Sequence, residues 1–462
     1  MQRTLVLLVV GLTRRQLGPD APHLAALARD GFAAPIDPVL PAVTCSVQST
    51  YLTGRLPREH GVVGNGWYWR DRAEVAFWKQ SNALVEGPKV WDAARARDPA
   101  FTCAQLFWWF DMFAAVDWSV TPRPVYRQDG RKEPDVYSDP PALRRRLVDR
   151  LGTFPLFQFW GPGAGLASTR WITDCALDVL ATERPTLTFA YLPHLDYDHQ
   201  RFGPDDPRSR QALREVDAEV GRLVEAARRD GVEVLVVSEY GIEPVSTPVH
   251  PNRALREAGY LRPWVNLEGT REAWELLEPG ACRAFAVADH QLAHVYVRDP
   301  ADVAPVRALL ERLPGVERVL DAAGKAEVGL DHPRAGELVL LAAPGCWFTY
   351  QYWLDDRLAP DFARTVEIHK KPGYDPCELL LDPRLPLAKA RVAWALLRKL
   401  LGFRYVMNVV PLDASLVRGS HGRPPRTPED GAVLVSGSRA GARDRLAATD
   451  VHDLILARVF GG

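Results

Sequence analysis

The sequence predicts an α/β fold, with a mostly parallel sheet flanked by helices and an inserted α+β cap. Three observations support this prediction: short apolar runs typical of buried strands, amphipathic helical stretches between them, and a change of pattern after about residue 280. With 462 residues, 47% of them hydrophobic and 25% charged, the chain is long enough for one large domain with an insertion or for two domains.

In the first part of the chain, apolar strands alternate with helices. Helix 22–29 has Pro in its first turn and Gly31 beyond its end, and helix 209–229 places its apolar side chains on one face. Strands that are apolar throughout are typical of parallel sheets covered on both faces. The predicted strands are 4–10, 186–192 and 232–238.

The pattern changes from residue 281 onward. An aromatic- and proline-rich segment follows the cap, and strand 431–437 and helix 448–461 then complete the core. The cap is predicted from strand 293–297, helix 303–313 and strand 316–320. We therefore divide the chain into a first part of the core, the cap and a return to the core, at 1–280, 281–332 and 333–462.

The charges of the whole chain are balanced, with 57 Lys and Arg against 58 Asp and Glu. No global field favours nucleic acid or an anionic membrane, so the expected partner is a small molecule. The apolar run 5–10 is interpreted as a strand rather than a signal peptide, because it lacks a small-residue cleavage site. The six cysteines form no Cys-x-x-Cys pair, which predicts a reduced, cytoplasmic protein. The oligomeric state stays open.

The segment 41–68, PAVTCSVQSTYLTGRLPREHGVVGNGWY, places Thr44 where a turn enters a helix. The start of a helix binds anions, because its free N–H groups point outward and its dipole is positive there. A hydroxyl at this point is positioned to attack a bound phosphate, so Thr44 is the candidate nucleophile. The alternative is a helix N-cap, which is a common role of threonine.

Two acidic side chains follow predicted parallel strands. Asp196 comes after strand 186–192 in a loop, and Glu239 directly follows strand 232–238. Open α/β sheets bind ligands at this edge, and a right-handed crossover brings the two connections together. Alternatively, Asp196 satisfies turn backbone groups, and Glu239 is solvated or pairs with an arginine.

Four stretches occur in the order TCSVQSTYLTGRLPREHGVVGNGWY, YLPHLDYDHQRFGPD, VVSEYGI and GSHGRPP. Together they resemble the nucleotide pyrophosphatase/phosphodiesterase branch of the alkaline phosphatase superfamily. The resemblance implies two divalent metal ions, usually zinc, and a Thr or Ser that attacks phosphorus. By position, Thr44 matches the nucleophile, and Asn65 matches a residue that donates a hydrogen bond to a phosphoryl oxygen. Asp196 matches a carboxylate of the first metal, and His421 matches the histidine that closes that site.

Several positions depart from the family pattern. Val10 stands where the family has an aspartate after the first strand, and valine cannot bind a metal. Glu239 and Tyr240 replace an Asp-His pair, so one imidazole is lost. Gln200 replaces a histidine, although His199 lies one position earlier.

These departures change what the resemblance implies about metals. We expect one divalent ion rather than two, most simply zinc, held by Asp196, His421 and either His199 or Glu239; otherwise the chemistry is slow or absent. A metal lowers the pKa of a bound hydroxyl, so the loss of one site removes most of the activation of Thr44.

Aromatic residues cluster near the proposed phosphoryl site. Trp67 and Tyr68 follow Asn65 closely and are expected to form an apolar wall against the organic part of the substrate. Tyr240 is a further expected substrate contact. His290 and His294, by contrast, lie in or beside a predicted strand and are interpreted as structural.

The sequence therefore predicts a metal-assisted hydrolase of a phosphodiester or pyrophosphate bond in a small-molecule phosphate ester, acting through Thr44. Two alternatives stay open. The first is a degenerate, non-catalytic relative that binds a phosphorylated or aromatic ligand. The second keeps catalysis but acts on a phosphonate or sulfate ester.

Overall fold

A sheet of eight strands forms the centre of the computed structural model, which describes residues 1–128, 131–403 and 406–461. The five strands from the third to the seventh position of the sheet pair in parallel, and the remaining pairings are antiparallel. The predicted α/β class with a mostly parallel sheet is confirmed. From edge to edge, the strands are Phe32–Pro35, Val433–Ser436, Glu233–Val237, Thr4–Val9, Leu187–Leu192, Cys103–Leu106, Trp118–Pro122 and Val136–Asp139.

The strand Thr4–Val9 lies in the middle of the sheet and is buried at every position. It pairs with Leu187–Leu192 on one side and with Glu233–Val237 on the other. Side chains on both faces are apolar because helices cover both faces of a parallel sheet. All three strands match their predictions to within one residue at each end. Since they are parallel, their carboxyl ends lie side by side at one edge.

Helices cover this sheet, and the predicted helices 22–29, 209–229 and 448–461 are all present. The longest helix is Pro207–Arg229. Its N-cap residue is Asp206, whose side chain accepts a hydrogen bond from the backbone N–H of Arg208 at 2.9 Å. The α-helices are Pro22–Asp30, Thr44–Thr53, Pro57–His60, Val90–Arg97, Pro141–Leu151, Leu166–Thr182, His194–Phe202, Pro207–Arg229, Pro251–Glu257, Pro300–Leu310, Ala322–Glu327, Ala388–Leu400 and Asp450–Phe460.

The stretch around Asp196 is a helix, His194–Phe202, and not the predicted loop. Neighbouring elements surround it so closely that six of its nine residues are buried. A helix buried on most sides lacks the one-sided apolar stripe from which helices are recognised in sequence. Asp196 therefore lies in the first turn of a helix, which fixes its direction more firmly than a loop would.

A second sheet of four antiparallel strands contains the two predicted cap strands, and the predicted helix between them is present as Pro300–Leu310, three residues earlier than expected. The strand Leu338–Ala342, the last of the four along the chain, lies beyond the range 281–332 that the sequence indicates for the cap, because strand pairing joins residues that are distant in sequence. The division of the chain into three parts stays a prediction. In sheet order the strands are Ala284–Asp289, Leu292–Val297, Leu338–Ala342 and Val316–Leu320.

The remaining strands form short pairs. Within the described residues, no helix is long and apolar enough to cross a membrane. All six cysteines are unpaired. The pairs are Gly66–Trp69 with Glu74–Phe77, Val125–Tyr126 with Lys132–Glu133, Glu243–Pro244 with Gly419–Ser420, Thr247–Val249 with Cys346–Phe348, and Trp264–Asn266 with Trp274–Leu276.

Candidate active site

A cavity of about 1680 Å³ opens at the carboxyl edge of the central sheet. Thr44, Asp196, Tyr240 and His421 all line it, and Glu239 contacts Thr44 at its inner end. These residues come from distant parts of the chain and meet because parallel strands place their following residues at one edge. Ligand cavities are usually smaller than this one, so the space accommodates a ligand much larger than a phosphate group.

Thr44 is the first residue of the helix Thr44–Thr53 and is 4% exposed. Val43, in an extended conformation, occupies the N-cap position, so Thr44 does not have the capping role. Its hydroxyl donates a hydrogen bond to Glu239 Oε2 at 3.3 Å and lies 3.2 Å from Tyr240 Oη. The Thr44 hydroxyl is therefore held inside the cavity between a carboxyl group and a phenol.

Glu239 is buried, and its side chain is held by its neighbours on the Thr44 helix. Gln48 Nε2 donates to Glu239 Oε1 at 2.6 Å, and the backbone N–H of Trp109 donates to Gln48 Oε1 at 2.7 Å, which fixes the orientation of the Gln48 amide. Burial raises the pKa of Glu239 to about 8, and the nearby Asp196 charge adds to this. Gln48 is not among the site residues predicted from the sequence, although its position four residues after Thr44 places it on the same helix face.

Asp196 lines the same cavity, with one carboxylate oxygen paired and the other unpaired. Gln200 Nε2 donates to Asp196 Oδ2 at 2.6 Å, and Tyr374 Oη donates to Gln200 Oε1 at 2.9 Å. Asp196 Oδ1 is buried without a hydrogen-bond partner among the described residues. Burial raises the pKa of Asp196 to about 7. A ligand group in the cavity would supply the missing partner.

His421 stands in a column of four closely spaced rings. Its ring centroid is 3.5 Å from that of Tyr240 and 3.6 Å from that of His290, which in turn lies 3.7 Å from Tyr374. His421 Nδ1 faces the carbonyl oxygen of Ala42 at 2.8 Å, so we assign the proton to Nδ1. Nε2 is then a lone-pair acceptor, buried and without a partner in the described chain. Burial lowers the pKa of His421 to about 3, so the ring is neutral.

Close backbone packing explains the glycine-flanked sequence around His421. A side chain at Gly419 would collide with the carbonyl oxygen of His199, at the end of the Asp196 helix. The backbone N–H of Arg418 also donates to the carbonyl oxygen of Gln200 at 3.0 Å. The Gly-Ser-His-Gly turn therefore packs directly on the helix that carries Asp196, which places His421 beside it.

His290 is a cavity residue that the sequence analysis interpreted as structural. It sits at the tip of the hairpin that joins Ala284–Asp289 to Leu292–Val297, with a φ of 61°, a left-handed conformation that is uncommon outside glycine. Backbone strain of this kind is concentrated at functional sites. The other histidine of the pair, His294, faces the carbonyl oxygen of Val63 at 2.8 Å. The sequence signal was the same for both histidines, and only the pairing of the strands separates them.

Asn65 lies behind the start of the Thr44 helix. Its Oδ1 accepts a hydrogen bond from the backbone N–H of Cys45 at 3.0 Å, and its Nδ2 donates to Asp289 Oδ1 at 3.0 Å. The backbone N–H of Asn65 also donates to Asp289 Oδ2 at 2.7 Å. Asn65 therefore ties the Thr44 helix to the hairpin tip. Its predicted hydrogen bond to a phosphoryl oxygen stays a prediction.

The structure does not bring Trp67 and Tyr68 to the cavity. They lie on a short strand whose side chains alternate in direction: Trp67 stacks on Trp69 with centroids 5.7 Å apart, and Tyr68 packs edge-on against Phe285 at 5.0 Å. Nearness to Asn65 in sequence did not predict these directions. The cavity is instead lined by other aromatic residues, among them Trp78, Trp109, Trp160, Tyr191 and Tyr374.

The predicted metal ligands do not form a metal site. His199 Nε2 lies 3.3 Å from Gln16 Nε2, and both oxygens of Glu239 are occupied by Gln48 and Thr44. No group of three or more His, Cys, Asp or Glu side chains suited to a metal ion occurs within the described ranges. At the positions of the family's other ligands, Val10 is apolar, Gln200 is engaged by Asp196 and Tyr374, and Tyr240 is a phenol. The donor set therefore does not fit the two-ion centre or the predicted single ion at these four residues.

Comparison with known proteins defines the class of this architecture. Phosphonoacetate hydrolase of Sinorhizobium meliloti, in complex with phosphonoformate, superposes with a TM-score of 0.61 at 12% identity, covering 99% of this chain and 96% of that one. Murine ectonucleotide pyrophosphatase/phosphodiesterase 5 in complex with AMP gives a TM-score of 0.58 at 14% identity, covering 100% and 95%. The fold is therefore alkaline phosphatase-like.

The sequence comparison then gives the family. The model of the type I phosphodiesterase/nucleotide pyrophosphatase family matches residues 4–375, and the chain belongs to this family. An uncharacterized pyrophosphatase/phosphodiesterase of Schizosaccharomyces pombe is 26% identical over 269 residues, covering 55% of this chain and 46% of that protein. Human ectonucleotide pyrophosphatase/phosphodiesterase family member 7 is 24% identical over 234 residues, covering 49% and 44%. The matches thus span about half the length of these relatives.

Proposed function

We propose that this chain hydrolyses a phosphodiester or pyrophosphate bond in a small-molecule phosphate ester, with Thr44 as the nucleophile. The observation that carries the proposal is the Thr44 hydroxyl, which lies in the cavity 3.3 Å from a buried carboxyl oxygen of Glu239. A hydroxyl becomes an effective nucleophile when a neighbouring base takes its proton. Membership of the family supports the reaction class.

Glu239 is the base in this proposal. In its ionised form it accepts the Thr44 proton while Oγ1 forms a bond to phosphorus and the bond from phosphorus to the leaving group breaks; Glu239 then passes this proton to the leaving-group oxygen. In the second step water attacks the phosphoryl-threonine and gives a proton to Glu239, the bond from phosphorus to Oγ1 breaks, and Glu239 returns the proton to Oγ1. Because burial raises the pKa of Glu239 to about 8, the ionised fraction increases as the pH rises from neutral. Gln48 holds the carboxylate in place, so little reorganisation is needed when the substrate binds.

Asp196 and His421 bind the substrate in this proposal. Each has one buried polar atom without a partner in the described chain, and both line the cavity. An unpaired buried polar atom costs about 1–3 kcal/mol, which a ligand that pairs with it recovers. With a pKa of about 7, the Asp196 carboxyl carries a proton in part of the molecules at neutral pH and donates it in a hydrogen bond to a phosphoryl oxygen. His421 Nε2 accepts a hydrogen bond from a hydroxyl or N–H group of the ligand.

No step of this proposal passes through a metal, because the donor set does not fit one. In the relatives' superfamily a second ion would activate the nucleophile; here Glu239 contacts the Thr44 hydroxyl directly, and Tyr240 Oη lies 3.2 Å from it. Zinc dependence and the cytoplasmic location stay predictions from the sequence alone.

The second candidate function is a non-catalytic binder of a phosphorylated ligand. It is favoured by the replacement of three family ligands by Val10, Gln200 and Tyr240, while Asp196 and His421 keep unpaired atoms towards the cavity. A hydrolase of a phosphonate or sulfate ester uses the same side chains in the same roles, and differs only in the bond that breaks.

Hydrolysis of bis(nitrophenyl) phosphate tests these candidates. We expect wild-type turnover, and Thr44→Ala to lower kcat on the order of 10³-fold or more. The matched control is Thr53→Ala in the same helix, because Thr53 donates only to the carbonyl oxygen of Ser49, at 2.7 Å. Equal activity of Thr44→Ala and wild type removes Thr44 from the mechanism. Ligand binding by calorimetry without turnover of phosphate, phosphonate or sulfate esters establishes the binder.

A further inference from the structure

One surface of the molecule concentrates exposed apolar side chains. Of the seventeen large hydrophobic residues exposed in the described chain, eight lie between residues 387 and 406. They occupy the helix Ala388–Leu400, the turn after it and its two flanks. Leu400 is 83% exposed and Trp394 is 61% exposed. Soluble proteins rarely expose a contiguous apolar patch of this kind unless it contacts a partner or a membrane.

The spacing of these residues makes one apolar helix face. Trp394, Leu397 and Leu401 are separated by three and four residues, so they lie on the same side of the helix, and Leu400 lies beside them. Ala395 is buried against the protein, so the helix is attached along its other side. The apolar face thus points away from the molecule, and no element of the described chain covers it.

The sequence of this segment has an excess of basic residues. Residues 387–406 contain five Lys and Arg and no Asp or Glu, in a chain where 58 of 462 residues are acidic, whereas Arg384, just before them, pairs with Asp413. The charge of the whole chain is balanced, which predicted no membrane partner. This overall balance conceals the local excess of basic residues. Arg391 and Arg398 are both exposed on the helix itself.

We propose that the helix Ala388–Leu400, with the turn that follows it, docks this protein on an anionic membrane surface. A helix with Trp and Leu on one face and basic residues at its borders lies in the plane of a bilayer, with its apolar face among the acyl chains and its basic groups at anionic headgroups. The helix is an interfacial and not a spanning element. Val392 and Leu396 also line the cavity, so docking places the cavity next to the lipid layer.

Co-sedimentation of the full chain with vesicles tests this proposal. Vesicles of phosphatidylcholine with about one third phosphatidylserine are compared with pure phosphatidylcholine at low and high salt. We expect binding to the anionic vesicles that weakens with salt. The double variant Trp394→Glu with Leu400→Glu is expected to bind the anionic vesicles at least about tenfold more weakly than the wild type, because it places charge on the apolar face.

The matched control is Trp264→Glu with Leu354→Glu, two residues that are 62% and 51% exposed elsewhere on the surface. This control is expected to bind vesicles like the wild type. The Thr44→Ala variant is also expected to bind vesicles normally, so a failure of membrane docking can be distinguished from a failure of the catalytic proposal. Absence of vesicle binding by the wild type overturns the proposal. So does a wild-type dimer that the helix variant separates without any vesicle binding, because the face then joins two copies of the chain.

Discussion

The two sides of the inner cavity differ in how completely their polar atoms are paired. On the Thr44 side, which comprises Thr44, Gln48 and Glu239, both carboxyl oxygens and both polar atoms of the Gln48 amide have partners. On the Asp196 side, which comprises Asp196 and Gln200, Asp196 Oδ1 has no partner within the described residues, and neither has Nε2 of His421, which stacks on Tyr240. In the proposed function, the Thr44 side therefore activates its own hydroxyl, and the Asp196 side receives groups from a ligand.

This comparison predicts that changes on the two sides affect different measurements. The largest effect is expected for Glu239→Gln, which keeps the shape of the side chain but removes the base. We expect kcat to fall about 10²- to 10⁴-fold. In the wild type, kcat rises as Glu239 loses its proton, with a midpoint near its pKa of about 8, and the variant loses this rise. A variant that keeps the same midpoint in its pH–rate profile contradicts the assignment.

A second change makes the Asp196 side more like the family pattern. Gln200→His places a third donor in the cavity that Asp196 and His421 line, one helical turn after Asp196 on the same helix. We expect zinc affinity to increase about a hundredfold over the wild type, measured by calorimetry and elemental analysis. Gln211→His on the exposed helix surface is the control for an added histidine. Unchanged zinc affinity shows that Asp196 and His421 cannot converge on one ion.

A smaller effect is expected for Asp196→Asn, and it concerns binding. Ionised Asp196 repels an anionic ester, so affinity falls as the pH rises through its pKa of about 7. The asparagine variant keeps a donor but carries no charge, so it loses the fall in affinity around pH 7 and keeps only the fall that ionisation of Glu239 causes near pH 8. Its affinity is expected to exceed that of the parent about tenfold at pH 9. Calorimetry in a Thr44→Ala background prevents turnover. A parallel pH dependence in both proteins refutes this role.

The smallest effect is expected for Tyr374→Phe. This change removes the hydrogen bond from Tyr374 Oη to Gln200 Oε1 but keeps the ring stacked on His290. We expect the free energy of unfolding to fall by about 1 kcal/mol, measured by denaturant titration, with kcat changed only a few-fold. Tyr374→Leu, which also removes the stacked ring, is the comparison variant and is expected to cost more. Equal losses in the two variants assign the whole effect to the hydroxyl hydrogen bond and contradict a stabilising role of the stacked ring.

Much of this arrangement could be predicted from local sequence. Thr4–Val9 and Glu233–Val237 are apolar runs, and Thr44 stands in a stretch whose residues both begin a helix and match a family. Strand parallelism then brings Asp196 and Glu239 together, because it follows from the order of the elements. These predictions depend on contacts between residues that are close in sequence, or on the order of the strands in the sheet.

The rest depends on side-chain direction and on long-range pairing. His290 joins the cavity only because two strands of the second sheet pair with the register that places it at a turn, and Tyr374 stacks on it from a segment without regular structure. Trp67 points away from the cavity because alternation along a strand, and not distance from Asn65, decides its direction. The helix around Asp196 has no one-sided apolar pattern, so sequence periodicity could not reveal it.

The hairpin tip at residues 289–291 has a practical consequence for anyone who wishes to trim this protein. Asp289 holds Asn65 behind the Thr44 helix, and the backbone N–H of Gln291 donates to the carbonyl oxygen of His421 at 2.8 Å. Excision of the second sheet would therefore remove the hydrogen bonds that hold Asn65 and His421 in place, and also the ring of His290. A minimal catalytic fragment cannot be cut from residues 1–280, and any shortened version must retain that distant loop.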